Sequence, residues 1–120
     1  MIKPHGAEQL MPLYVADQQQ REALQAQAES MPSKIVSSAT ATNAVMLAGG
    51  YFTPLTGYMN VADAMSVADT LHTADGVFWP VPVMNLLSDA SGVVVGEQLA
   101  LRDPNVSGNP VLAVMTVNAI

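Results

Sequence analysis

Three aspartates and a histidine in the middle of the sequence are the side chains best suited to metal binding or acid–base chemistry. Asp63, Asp69 and Asp75 recur every six positions, and His72 follows Asp69 at a helical spacing of three. Six residues of α-helix turn by about 240°, so Asp63 and Asp69 do not share a face. A catalytic carboxylate pair needs converging side chains. The pattern therefore favours a solvated helix face with a local Asp69–His72 contact over a two-ligand metal clamp.

Other sequence patterns that carry chemistry do not occur. The chain has no Cys, which excludes thiolate chemistry and disulfides. Gly49 and Gly50 are followed by Tyr51 instead of the Lys-Ser/Thr of a phosphate-binding loop. His5 is a lone histidine near a terminus, where a surface position or a hydrogen bond is commoner than ligation. We predict that this chain has no catalytic, cofactor-binding or metal-binding residue and holds no cofactor.

Residues 49–59 form the segment around which the other elements must be arranged. The segment is too apolar for a solvent-exposed loop, and too rich in glycine and proline for a helix or strand. Its large apolar side chains need a buried environment. The segment therefore predicts an ordered, packed joint between two helices, with Phe52 and Leu55 in the core. The alternative is a loop that contacts substrate.

Apolar periodicity and capping residues predict three helices, near residues 17–30, 40–48 and 61–72. Asp17 and Asn60 are suitable N-caps. Pro32 marks the end of the first helix and Gly49 the end of the second. A short strand is predicted around Ile35.

From Phe78 onward the apolar period changes to two, which predicts antiparallel strands within residues 81–87, 93–102 and 111–117. The prolines at 80 and 82 lack amide donors, so the first of these strands should lie at a sheet edge or under a cover other than a strand. Residues 111–117 are apolar on both faces, as in a central strand. Trp79 is either a ligand platform or a plug in a core or interface.

Composition and charge restrict the class of protein. The length of 120 residues predicts one domain. Only 12% of the residues are charged, against about 25% in an average domain, which indicates a surface to be covered by more protein. The net charge of −6 with four scattered cations argues against nucleic acid and anionic membranes as partners. Neither a leader nor a membrane-length apolar run is evident, so we predict a cytoplasmic protein.

The sequence also resembles a known family in five blocks. Residues 50–59, GYFTPLTGYM, resemble the glycine–aromatic–Pro-Leu-x-Gly-aromatic-Met signature of the amino-terminal domain of ATP sulfurylase (sulfate adenylyltransferase). The other blocks resemble the same family in the same order and are MIKPHG (1–6), ADGVFWPVPV (74–83), LALRDPNV (99–106) and GNPVLAVM (108–115). The last two resemble especially the forms of sulfur-metabolising bacteria. Together the blocks extend over nearly the whole chain.

The resemblance implies an α+β fold for residues 1–120: a PUA-like domain, with a small, mostly antiparallel β-barrel and flanking helices. The chain stops soon after its apolar final strand, as we expect of a fragment in which that domain is incomplete. Enzymes of this family make adenylyl sulfate and pyrophosphate from ATP and sulfate, or run the reaction in reverse. Their catalytic nucleotidyltransferase domain holds ATP, with Mg²⁺, through Gln-Thr-Arg-Asn-Pro, His-x-x-His and Gly-Arg-Asp-His runs, none of which occurs here.

Two functional hypotheses follow from the resemblance. The first is a non-catalytic domain of a sulfate adenylyltransferase with a structural and domain-contact role. Its partner would be the catalytic domain of the same enzyme, and homo-oligomers are a further expectation. The second is a stand-alone PUA-like module that binds RNA or protein, an analogy of fold alone. The acidic net charge argues against RNA binding.

Overall fold

Three α-helices and a three-stranded sheet make up the regular structure of residues 2–120, which the computed structural model describes. The helices are α1 (Gln18–Ala28), α2 (Ser38–Ala48) and α3 (Val61–Thr70). The strands are β1 (Ser33–Ile35), β2 (Gln98–Arg102) and β3 (Val111–Thr116). The α+β class is as predicted. Over the described residues the sheet is open and is not a closed barrel.

The sheet has the order β1-β2-β3 and mixes two kinds of pairing. β1 runs parallel to β2, with Ser33 opposite Ala100, because the chain crosses over through α2 and α3 between the two strands. β2 runs antiparallel to β3, with Gln98 opposite Thr116, and the register shifts beside Arg102. The prediction of antiparallel pairing therefore holds for β2 and β3, and the short strand predicted around Ile35, for which no direction was predicted, runs parallel.

β2 is the central strand, and the prediction that residues 111–117 are central was wrong. Leu99, Ala100 and Leu101 are at most 2% exposed, so both faces of β2 are covered. The apolar side chains of β3 are only half-buried, and β3 lies at an edge of the sheet. Both strands are apolar in sequence, but they differ in burial. Other parts of the chain cover β2 completely and β3 only in part.

The strands predicted at residues 81–87 and 93–97 are irregular segments in the structure. In the first, Pro82 and the preceding Pro80 lack amide donors. The amide of Val83 donates to the sulfur of Met59 and its carbonyl accepts from the amide of Met59, so Val83 does not pair with a strand. In the second, Gly92 and Gly96 have φ of +77° and +91°, and successive turns replace the extended backbone. Only residues 98–102 of the predicted 93–102 pair in the sheet.

The helices begin where their caps predict. The side chains of Asp17 and Asn60 accept hydrogen bonds from the third amide beyond each, at 2.8 Å. α2 starts two residues earlier than expected because Ser37 caps it. α3 ends at Thr70, where Leu71 takes a left-handed conformation. None of the helices among residues 2–120 is both long and apolar enough to cross a membrane.

The core lies where α2 meets the sheet. Ala41 of α2 packs with Leu99 and Leu101 of β2, and with Val36 and Val117 beside the strands. α1 contributes little, because Ala28 is its one fully buried residue. Because α2 is packed against the sheet and ends at Ala48, its position determines where the joint at residues 49–59 begins.

Candidate functional site

The structure contains an open cavity of about 580 Å³, called here the aromatic groove. It is lined by residues 51–53, residues 78–83, His5 and Asn43. Four of these residues are Tyr, Phe or Trp, and two are prolines. The volume falls within the range of about 300–1,000 Å³ that is typical of small-molecule pockets. A pocket of this size can equally receive side chains from another part of a protein.

The joint at residues 49–59 builds one wall of the groove. Gly50 has φ of +80°, and a Cβ there would lie 3.1 Å from the backbone nitrogen of Pro12. The buried hydroxyl of Thr53 donates to the carbonyl of Gly50 at 2.7 Å and accepts from the amide of Met11 at 3.0 Å. These contacts fasten the joint to the amino-terminal arm. These contacts confirm the prediction that the joint is packed against the rest of the chain.

The buried residues of the joint are not the predicted ones. Phe52 and Leu55 are only half-buried, whereas Gly50 and Thr53 are buried. The aromatic side chain of Phe52 faces the groove and meets Trp79 edge-on at a centroid distance of 5.7 Å. The backbone of the joint is covered instead, because its polar groups bond to the arm and to its own turn.

The far end of the joint is clamped by Tyr58. Its hydroxyl donates to the carbonyl of Thr40 in α2 at 2.7 Å. Burial raises the pKa of the Tyr58 phenol to about 12, because the charged form would lose its hydration. The neutral phenol is therefore the donor under ordinary conditions, and it ties the joint back to the helix that precedes it.

Residues 78–83 form the opposite wall, and their backbone is already engaged. The amide of Trp79 donates to the carbonyl of Leu71 at 2.7 Å, and the carbonyl of Val83 accepts from the amide of Met59 at 2.7 Å. The prolines at 80 and 82 have no amide to offer. This wall therefore presents side chains to the groove and has little free hydrogen-bonding capacity.

His5 fixes the end of that wall. Its ring Nε2–H donates to the carbonyl of Phe78 at 2.7 Å, and its ring lies 6.4 Å from the Phe78 ring in an edge-on arrangement. His72 contacts the same phenyl ring edge-on at 5.7 Å. The two histidines of the chain are thus used to position Phe78. The sequence predicts a surface position or a hydrogen bond for His5, and the structure shows both, with a partner that was not predicted.

The side chains that line the groove restrict the kinds of chemical group that it can bind. No Asp, Glu, Lys or Arg is found among the described residues that bound the cavity. Burying an unpaired ion against such a surface is costly. The groove is therefore suited to apolar or aromatic groups and not to phosphate or sulfate.

A protein-family model described as "PUA-like domain" matches residues 2–120. The chain belongs to the PUA-like domain family. This assignment agrees with the fold that the five sequence blocks imply.

Curated relatives of this PUA-like domain include sulfate adenylyltransferases. It is 62% identical over all 120 residues to the sulfate adenylyltransferase of Alcanivorax borkumensis and 54% identical to that of Allochromatium vinosum. The chain spans about 30% of the length of each and matches their amino-terminal region. Among solved structures, it superimposes on a hexameric APS kinase from Thiobacillus denitrificans with a TM-score of 0.80 at 35% identity. That alignment covers 97% of this chain and 23% of the other.

The acidic and imidazole side chains singled out from the sequence do not converge in the PUA-like domain. Asp63 accepts from the amide of Ala74 at 2.9 Å. His72 uses its Nδ1–H for the carbonyl of Thr70 at 2.7 Å and has no hydrogen bond to Asp69, so the expected Asp69–His72 contact was wrong. Across residues 2–120, no three His, Asp or Glu side chains come together as a set that could hold a metal ion.

The cations of the PUA-like domain are dispersed and engaged. Three pair with carboxylates and the fourth donates to a backbone carbonyl: Lys3–Glu8 (2.5 Å), Lys34–Asp89 (3.4 Å), Arg102–Glu29 (3.3 Å) and Arg21–Val15 (3.3 Å). At Asp89, hydrogen bonds from the amide and hydroxyl of Ser91, helped by Lys34, lower the carboxyl pKa to about 2. Each of these four cations is therefore already engaged by another group of the same chain.

The sequence offered only an indirect signal for the groove. Trp79 beside two prolines suggested a platform or a plug, and the tryptophan does line the groove while packing on Phe52. Nothing in the spacing connects His5 with Phe78, which are 73 positions apart. Such long-range contacts depend on the path of the chain and not on local periodicity.

Proposed function

We propose that residues 1–120 are the amino-terminal, non-catalytic domain of a sulfate adenylyltransferase, an enzyme that converts ATP and sulfate into adenylyl sulfate and pyrophosphate. The observation that carries the proposal is the 62% identity over all 120 residues to such an enzyme, of which the chain spans 30%. Identity of this extent includes surface as well as core positions. The role of the domain in this enzyme is structural, and its partner is the catalytic domain of the same polypeptide.

The distribution of Lys and Arg indicates which part of the enzyme carries out catalysis. Catalysis on ATP, with its Mg²⁺, and on sulfate requires preorganised donors and cations at developing negative charge. The cations described above are dispersed and paired. The catalytic groups and the nucleotide site therefore belong to the part of the polypeptide that lies outside residues 1–120, and the full enzyme works in the cytoplasm. Homo-oligomers are part of the proposal, supported by the structural relative, a hexameric APS kinase.

The test is an assay of the full-length polypeptide. It should release pyrophosphate from ATP only when sulfate is present, and the reading frame beyond residue 120 should encode a Gln-Thr-Arg-Asn-Pro run. The control is a variant of that run in the same polypeptide, which should lose turnover. If the intact polypeptide has no such activity and residues 1–120 bind single-stranded RNA saturably, the chain is a stand-alone binding module instead.

A further inference from the structure

The chain exposes more surface than its mass predicts. Its accessible surface is 7,676 Å² for a mass of 12.6 kDa, whereas a folded monomer of that mass exposes about 6,200 Å². The radius of gyration is 14.9 Å, against about 13.6 Å for a compact domain of this length. The excess of about 1,500 Å² is larger than the roughly 800 Å² that each partner contributes to a standard stable interface. The fold therefore has enough uncovered surface for a permanent contact.

The aromatic groove is a concentrated part of that uncovered surface. Tyr51 is 75% exposed, Val81 is 63% exposed and Phe78 is 49% exposed. All three line the same cavity. Exposed apolar side chains that are scattered need no explanation, but a contiguous patch marks an interaction site.

The groove also selects the chemistry of its occupant. Strand addition is excluded along residues 78–83, because the prolines lack amides and neighbouring backbone groups are already bonded. Ionic ligands are disfavoured because no Asp, Glu, Lys or Arg lies among the described lining residues, and the one imidazole, that of His5, already donates to the carbonyl of Phe78. What remains is the insertion of apolar side chains between the two walls.

We propose that the aromatic groove is the docking surface for an apolar segment of the same polypeptide, from the part that follows residue 120 in its relatives. This inference rests on the proposed function, and it names the surface through which the two domains touch. The relatives have about 70% of their length outside the matched region. A segment attached to the domain is present at an effective concentration on the order of millimolar, so it occupies the groove in preference to a second copy of the chain.

The decisive experiment uses the absence of Cys from residues 1–120. Val81→Cys places a thiol in the groove, and Val94→Cys places one at a similarly exposed valine outside it. Labelling by a thiol reagent is followed by peptide mass spectrometry, in the 120-residue chain and in the full-length polypeptide. We expect the thiol at position 81 to react about tenfold or more slowly in the full-length polypeptide, because reactivity requires access to the sulfur. The thiol at position 94 should react at the same rate in both.

A second pair of variants tests the same contact through stability. Val81→Asp and Val94→Asp make the same change in charge, and both should leave the melting temperature of the 120-residue chain unchanged because both side chains are exposed. In the full-length polypeptide, Val81→Asp should lower the melting temperature by about 4 °C or more, and Val94→Asp should not. Val81→Thr, a milder change that adds only a hydroxyl, should give a smaller loss.

Three results would overturn the proposal. Equal labelling of position 81 in both polypeptides would show that the groove stays open. Protection of position 81 that grows with the concentration of the 120-residue chain would identify a second copy as the occupant. A melting-temperature loss from Val81→Asp in the 120-residue chain itself would make the valine part of the fold. None of these readouts needs turnover, so an inactive full-length polypeptide with a protected position 81 would refute the proposed function and leave the docking surface standing.

Discussion

The phenyl ring of Phe52 meets the indole of Trp79 edge-on, with the ring centroids 5.7 Å apart. The contact joins the two walls of the aromatic groove, one from the joint at residues 49–59 and one from residues 78–83. Edge-on aromatic pairs contribute about 0.5–1.5 kcal/mol beyond the burial of their surface. The groove is therefore held in shape by a specific contact between its own lining residues.

Phe52→Ala should lower the free energy of unfolding by about 2 kcal/mol. A fully buried Phe would cost about 3–5 kcal/mol, but Phe52 is only half-buried. Urea titration followed by the fluorescence of Trp79, the one tryptophan of the chain, measures the effect directly. Phe52→Leu should lose less, because it keeps the apolar volume and removes only the aromatic contact. Unfolding of Phe52→Ala at the same urea concentration as the parent would mean that the two walls do not depend on each other.

Thr53→Val should destabilise the chain by about 1–3 kcal/mol although it conserves shape. The change removes the acceptor for the amide of Met11 and the donor to Gly50, and it leaves polar groups without partners in a buried place. Thr56→Val in the same segment is the matched control, since Thr56 is exposed. Equal midpoints of chemical denaturation for the two variants would contradict the anchoring role of Thr53.

The stability of the chain should fall between about pH 10 and pH 12 through Tyr58. The phenol has a pKa of about 12 in the folded chain and about 10 when unfolded. A raised folded pKa means that the stabilisation is fully present below pH 10 and is lost as the pH rises towards 12. Tyr58→Phe should lack this contribution and should be less stable at neutral pH by about 1 kcal/mol, because its hydrogen bond to Thr40 is gone. Urea titrations of parent and variant across this range provide the test, and parallel losses in both would contradict it.

Local features of the fold were predictable and long-range ones were not. Asp17 and Asn60 cap their helices as expected, because a cap depends on amides only three residues away. The alternation at residues 81–87 failed as a strand signal, since an irregular segment with Pro82 inside it and Pro80 just before it presents the same pattern of apolar side chains. For residues 111–117, composition indicated burial, but it could not tell which strand would lie at the centre of the sheet.

The candidate site was predictable in part. The joint at residues 49–59 could be located from its glycines and proline, because these residues fix the backbone locally. Which side of the joint would be buried could not be predicted, and the wrong residues were assigned to the core. The contact of His5 with Phe78 depends on how the arm folds back across the domain, and no spacing in the sequence encodes it.

The free edge of β3 should cause the 120-residue chain to self-associate. Because backbone groups alternate along a strand, those of Val114 and Thr116 point away from β2 when Val117 bonds to Glu97. The strand contains no charged residue and no proline, which are the usual protections of an edge. We expect sedimentation velocity to show dimers or larger species that increase with concentration.

A single charge on that edge should suppress the association. Thr116→Lys alters an exposed position of β3 and should weaken self-association by about tenfold or more. Gln19→Lys, an equal change on the exposed side of α1, serves as the control and should associate like the parent. If both variants behave alike, the association does not involve the edge of β3.

The last prediction is that residues 1–120 alone neither bind ATP nor turn over adenylyl sulfate. A triphosphate needs several cations or amide donors that converge on it. Among the described residues, each Lys and Arg is already held by a carboxylate or a carbonyl, and the pairs lie in different parts of the chain. With a net charge of −6, the domain also repels polyanions as a whole.

Titration calorimetry with Mg²⁺–ATP at millimolar concentration should therefore give no saturable heat. Pyrophosphate release from ATP and sulfate should stay at the background rate, as should ATP formation in reverse. The full-length polypeptide, assayed at the same molar concentration, is the positive control. Releasing one cation by Glu29→Gln, which leaves Arg102 without its carboxylate, should not create binding, because one free guanidinium cannot hold three phosphates. Saturable ATP binding by the parent that Arg102→Gln abolishes would show that a nucleotide site exists within these residues.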